Sequence, residues 1–191
     1  MQQPIEQAKK RDKKILITDA AIGKVGKVKI AGFDEIQNTM LQVAHQELLK
    51  HAKEYNKSDE VLKITDIHFK RIVSIIGDEN HVDPNTSIEA RVLISDSGRQ
   101  ELIFMHNHPS TNTFSVEDIK TFVVQAQIKA MTVVTNQGVV YALSKNEQYD
   151  YNNISNILKE LVGKKLYGKA FVKEFIKKCK NGGVDYASSK K

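Results

Sequence analysis

The segment QELIFMHNHPSTNTFSVEDI, residues 100–119, joins an apolar run, a pair of histidines and a helix start. Its first part is β-prone and ends at His106 and His108, so it reads as a strand that delivers both histidines at its C-terminal end. Alternate strand residues share a face, and two imidazoles are therefore offered to one point in space. Pro109 restrains the next turn and pushes His108 toward extended backbone. Ser115 then caps a predicted helix through VEDIKTFVVQAQIKA, with Asp118 at its third position. Strand end and helix start converge, which brings the Asp118 carboxylate near both rings. Two histidines, one aspartate and an open fourth position form the donor set of a catalytic zinc site. Each part alone has a plainer reading: His-x-His suits a polar loop, and an acid in a first turn suits the helix dipole. Their order is what points to metal.

Outward from this segment the chain alternates strand and helix signals. Asp34 to Tyr55 carries apolar residues at helical spacing, predicting a long amphipathic helix. The runs at 60–67 and 70–78 read as a hairpin. Thr86 and Glu89 read as a capping box ahead of a short helix that stops at Gly98. MTVVTN, an NQG turn and VVYALS form a second hairpin, followed by helical sequence from about 150 to 179. This alternation predicts an α/β or α+β class with a mixed sheet. Residues 1–33 read as an extended arm with weak strands, 34–163 as the main domain, and 164–191 as a basic helix and tail.

At 191 residues the chain is long enough for one ordinary core. No apolar stretch approaches the twenty residues of a membrane span, and MQQPIEQAKKRDKK lacks the apolar segment of a secretory signal. The lone Cys179 cannot form an internal disulfide; a reducing, cytoplasmic setting is the expectation. Net charge is +6, yet residues 164–191 hold nine lysines against Glu174 and Asp185, which leaves the other 163 residues near −1. The surplus is thus a C-terminal property, best read as a solvated or docking face.

HNHPSTNTFSVED resembles the zinc signature of the JAB/MPN (JAMM) metalloprotease superfamily: His-x-His-Pro, a short loop, then Ser-x-x-Asp. The HNHPS wording is nearest its RadC-like and phage- or mobile-element-borne branch, and the resemblance spans roughly residues 60–145. It implies a cytidine-deaminase-like mixed sheet flanked by helices, zinc held by His106, His108 and Asp118, and Ser115 stabilising an oxyanion. It also implies a glutamate from an earlier strand as general base. Glu101 lies on the histidine strand about 16 Å away on the other side, Glu89 belongs to a cap, and Glu47 and Glu54 lie on the long helix. Glu60, opening the strand after that helix, is the candidate. The loop between His108 and Ser115 is one residue shorter than the family's common spacing. His45, His51, His68 and His81 read as surface residues, and His106-Asn107-His108 is too contiguous for an HNH nuclease.

The function this implies is zinc-dependent hydrolysis of an amide bond, by a peptidase or an isopeptidase, in a protein or peptide substrate that includes ubiquitin-like conjugates. Two alternatives belong to other classes. One is a non-catalytic phage-type scaffold, which a Glu60 remote from the metal ligands would favour. The other is a RadC-like module that binds nucleic acid through the basic end. Against the latter, Phe171 and Phe175 fit a buried helix face better than base stacking.

Overall fold

In the computed structural model, which describes residues 14–190, the histidine strand lies inside a six-stranded mixed sheet. The strands are β1 (Val61–Asp66), β2 (Ile72–Ile76), β3 (Leu102–His108), β4 (Ile128–Thr135), β5 (Val140–Lys145) and β6 (Val184–Ser188). Their spatial order is β2-β1-β3-β4-β5-β6, and only β3 and β4 run parallel. A parallel pair needs a crossover connection. Here α4 (Val116–Val124) supplies it, and the loop entering α4 is the one that follows the histidines.

Both faces of the sheet are covered, as the class prediction requires. On one side lie α1 (Asp19–Gly23) and α2 (Glu35–Tyr55), whose Leu41, Leu48 and Leu49 are fully buried beside Ile103 and Met105 of β3. On the other lie α3 (Ile88–Ser95), α4, α5 (Tyr151–Gly163) and α6 (Gly168–Lys178), packed over Leu102 and Phe104. Alternation along β3 therefore sends Leu102, Phe104, His106 and His108 to the α4 face, and Ile103, Met105 and Asn107 to the α2 face. Among the described residues no helix is long and apolar enough to cross a membrane.

Several local expectations differ from the fold. The described part of the arm, residues 14–33, forms no strand; Thr18 caps the short α1, and Ile17, Val25, Val28 and Ile30 pack under α2. Residues 1–13, where the reading of the N-terminal charge pattern falls, lie outside the described residues. Ser87 caps α3 in place of Thr86, which sits in a preceding 3-10 turn. The helix from Ser115 stops at Val124, because Gln127 and Ile128 are already engaged at the start of β3–β4 pairing. The C-terminal helical stretch is two helices, and the lysine-rich end is no free tail, since β6 adds to β5 as an edge strand.

One left-handed position sets a turn near the site. Gly138 has φ +86° in the β4–β5 hairpin, and a Cβ there would lie 2.5 Å from the Ala21 carbonyl oxygen. Only glycine fits both the conformation and the contact.

Candidate metal centre

The β3 alternation and the α4 cap bring the predicted ligands together. His106 Nε2 and His108 Nε2 are 3.1 Å apart, His106 Nε2 is 3.3 Å from Asp118 Oδ1, and His108 Nε2 is 3.6 Å from Asp118 Oδ2. A metal bonded tetrahedrally at ~2.0–2.1 Å holds its ligand atoms about 3.3 Å apart. The three separations straddle that value, and the set of two imidazoles and one carboxylate is chemically suited to a divalent ion. His106, His108 and Asp118 can therefore bind a metal ion.

Two of the three ligands are oriented by a contact outside the group. His108 Nδ1 lies 3.3 Å from the Asn112 carbonyl oxygen, a partner that keeps the ring proton on Nδ1 and leaves the Nε2 lone pair toward the site. Asp118 is locked by a capping box: the Ser115 N–H donates to Asp118 Oδ2 at 2.6 Å, and the Asp118 N–H donates to Ser115 Oγ at 3.0 Å. The loop after His108 thus delivers Ser115 and Asp118 in capping register. Ser115 Oγ is used as an acceptor by the cap, so its hydroxyl proton is left to donate into the cleft that it lines.

Glu60 is beside this group. It lies just ahead of β1, is buried, and puts Oε1 3.8 Å from His108 Nε2. Glu101 is at the opposite end of β3, where it accepts the Gly98 N–H at 2.8 Å. Burial pushes the Glu60 carboxyl up to about 7; His106 opposes the shift, while Asp118, Asp78 and Asp59 add to it. The Asp118 carboxyl behaves oppositely: burial would raise it, but the charge and hydrogen bond of His106, followed by His108 and Ser115, hold it far below the usual carboxylate range. Burial lowers the His108 imidazole to about 4, with the His106 charge adding to it. Burial pulls His106 down as well, yet Asp118 and Glu60 outweigh it and the net shift is upward. Two carboxyls that both approach His108 Nε2 thus differ sharply, one firmly ionised and one titrating near neutral pH.

The group forms the floor of a cleft of about 710 Å³, within the range that accommodates small ligands and peptide segments. Its lining includes the segment after β2, with Glu79, His81 and Asp83, and Phe114 to Glu117 at the start of α4. His81 is exposed, as expected, and lines this cleft. His45 is a correction: it is fully buried, with Nε2 2.7 Å from Thr132 Oγ1, and burial, helped by Lys63, lowers it to about 3. The strand face of β4 supplies it with a hydroxyl partner, which helical periodicity in α2 does not reveal.

Two residues without a sequence-level role hold the site in register. Asn107, between the histidines, is fully buried on the α2 side. Its Oδ1 accepts the Val61 N–H at 2.8 Å, and its Nδ2 donates to the Asp59 carbonyl at 3.1 Å and to Asn136 Oδ1 at 2.9 Å. Asn136 in turn donates to the carbonyls of Ile15 and Ser58. Asn107 thus grips the backbone on both sides of Glu60. The available signal was an amide between two same-face histidines, a position that strand parity places in the opposite core.

Comparison with protein-family models, with curated proteins and with solved structures found no match to the chain.

Proposed function

We propose that the protein is a zinc-dependent hydrolase of amide bonds, a peptidase or isopeptidase of the JAB/MPN type, acting on a protein or peptide segment laid in the cleft. The observation that carries this reading is the approach of Glu60 to within 3.8 Å of a histidine in the His106, His108, Asp118 group. A metal centre without such a carboxylate fits a structural role; one with it fits proton transfer. Its position favours the hydrolase over the scaffold alternative. Phe171 and Phe175 are buried in the core, which leaves the basic end without these two rings for stacking on bases.

In this reading His106 and His108 hold zinc through Nε2 and Asp118 through its carboxylate. Zinc, when bound, supplies a Lewis acid that polarises the scissile carbonyl and makes water nucleophilic near neutral pH. Glu60 accepts the proton of the attacking water and returns it to the departing amine. Burial, which lifts its carboxyl toward neutrality, suits it to both transfers. Ser115 donates its hydroxyl proton to the oxyanion, since its acceptor lone pair is already committed to the helix cap.

The test measures metal per chain by mass spectrometry, and hydrolysis of peptide and ubiquitin-like conjugates. Wild type should hold about one zinc per chain, a His106→Ala, His108→Ala double variant should hold none, and Glu60→Gln should keep its metal. Hydrolysis should fall by about 10²–10⁴ in Glu60→Gln. Activity that survives Glu60→Gln removes Glu60 as the base, and wild type that takes up no zinc after supplementation removes the metal reading.

A further inference from the structure

β2 is an edge strand, and among the described residues nothing pairs with its outer side. At one end of its ladder with β1 the Asp66 N–H donates to the Arg71 carbonyl, and at the other the Gly77 N–H donates to the Glu60 carbonyl. Antiparallel pairing alternates, so Arg71, Val73, Ile75 and Gly77 direct their backbone groups to β1. Ile72, Ser74 and Ile76 therefore point their N–H and C=O groups outward. The side chains of the same three residues are exposed, on the α2 face, opposite Thr65, Lys63 and Val61.

A free apolar edge invites pairing with another chain, and proteins blunt such edges with charge, proline or a covering segment. The opposite edge, β6, follows that rule: Asp185 stands within it and Lys190 follows it. β2 does not. It reads Ile-Val-Ser-Ile-Ile, with Ile72 49% and Ile76 53% exposed. The neighbouring helix widens this surface. Glu47 of α2 reaches Lys63, the residue opposite Ser74, at 3.4 Å, and Val43 and Met40, one and two turns earlier on that side of the helix, are also exposed.

The strand is complementary to itself. Laid antiparallel against a second copy, with a two-fold axis at Ser74, Ile72 falls opposite Ile76 of the copy, and Ser74 falls opposite Ser74. Each of the three outward residues then exchanges both backbone groups with one residue of the copy. Lys70 precedes the strand and Asp78 follows it, both exposed, so this register sets each Lys70 beside the other copy's Asp78. The Lys70 ammonium has no ion-pair partner among the described residues, and Asp78 accepts the Asn80 and His81 N–H groups through Oδ1 alone. A slip of two residues either way puts isoleucine against serine and separates the charges. An unrelated extended peptide would satisfy the backbone only; the Ile-Ser-Ile symmetry and the end charges select the same strand. We propose that two copies of the chain pair through β2, antiparallel about Ser74, and join their six-stranded sheets into one. Each copy uses its one unblunted edge, so assembly closes at two. The pairing is independent of metal and of hydrolysis.

Sedimentation velocity of the full chain tests this, in chelator so that no shared metal links copies. The mass should rise from 21.6 kDa toward twice that value as concentration increases from about 1 to about 100 μM. Ser74→Lys changes an exposed side chain and sets two ammonium groups face to face; it should weaken the dimer more than about tenfold while Tm measured on dilute monomer is unchanged. Ser74→Cys gives a positive readout, since the two Cα atoms at the axis would lie about 5.5 Å apart, within disulfide range. Oxidation should cross-link that variant through the new thiol, because the native Cys179 is buried. Wild type that stays monomeric across the range would overturn the proposal and leave the edge to a different polypeptide. A dimer that Ser74→Lys leaves intact, a dimeric Ser74→Cys that does not cross-link, or species larger than two copies would also overturn it.

Discussion

Replacing Asn107 with alanine should weaken the fold strongly while leaving both histidines in place. The side chain makes three buried or part-buried hydrogen bonds, to the Val61 N–H, the Asp59 carbonyl and Asn136 Oδ1. A net hydrogen bond contributes about 0.5–1.5 kcal/mol, and a buried donor left unpaired costs about 1–3 kcal/mol. The Val61 N–H is such a donor, because Val61 is fully buried and its neighbours are core residues. The expected loss is thus about 3 kcal/mol, which for a chain of this size is about 6–12 °C in Tm. Urea unfolding followed by circular dichroism, in chelator so that metal does not contribute, gives the value. Asn136→Ala and the double variant complete a cycle; the shared amide–amide bond should make the losses non-additive by about 0.5 kcal/mol or more. A loss below about 1 kcal/mol for Asn107→Ala, or strict additivity, refutes the view that this amide pair staples the segment around Glu60.

Lys145 offers a pH-dependent prediction. It is fully buried, sits about 5 Å from the Phe122 and Tyr149 rings, and donates to the Gln125 carbonyl, which the Ile128 N–H also approaches. Burial, with Arg99 adding to it, lowers its ammonium from 10.5 to about 8. Between those values the unfolded chain binds more protons, so the burial penalty is complete below about pH 8 and fades as pH rises toward 10.5. Lys145→Met should therefore be no less stable than wild type at pH 7, and its relative advantage should shrink as pH rises; a pH-independent difference in Tm would contradict this. Gly138→Ala should cost about 1–3 kcal/mol, from left-handed backbone strain and the clash with Ala21. Chemical denaturation within about 0.5 kcal/mol of wild type would show that the hairpin can shift to absorb it.

The parts of the fold that were legible in the sequence are those set by local pattern. Strand alternation placed His106 and His108 on one face, and the Ser115 cap placed Asp118 in the first turn, both of which survive in the folded chain. The long amphipathic α2 and the two hairpins are likewise written in periodicity and turn residues. What escaped depends on distant partners. The helix signal in QAQIKA yields to β3–β4 pairing, which claims Ile128 onward. Lysines around Val184, Tyr186 and Ser188 mask an alternating strand that exists because β5 offers a free edge. His45 is buried because Thr132, far along the chain, faces it. The Asn107–Asn136 pair has no local signature, since its value lies in backbone groups contributed by two separate segments, Ile15 and Ser58 to Val61.

The three candidate ligands occupy residues 106–118, one strand end, one loop and one helix start, whereas Glu60 reaches them only through the pairing of β1 with β3. Metal capture is in that sense a local property, available to a folding chain as soon as this unit forms. The placement of Glu60, the proposed proton-transferring carboxylate, is a long-range property, because a one-residue slip of β1 would turn Glu60 to the other face and leave the ligands undisturbed. On the proposed reading, binding and chemistry can accordingly be lost separately, by mutation or by incomplete folding, and a metal-loaded but inert form is the natural intermediate between the two.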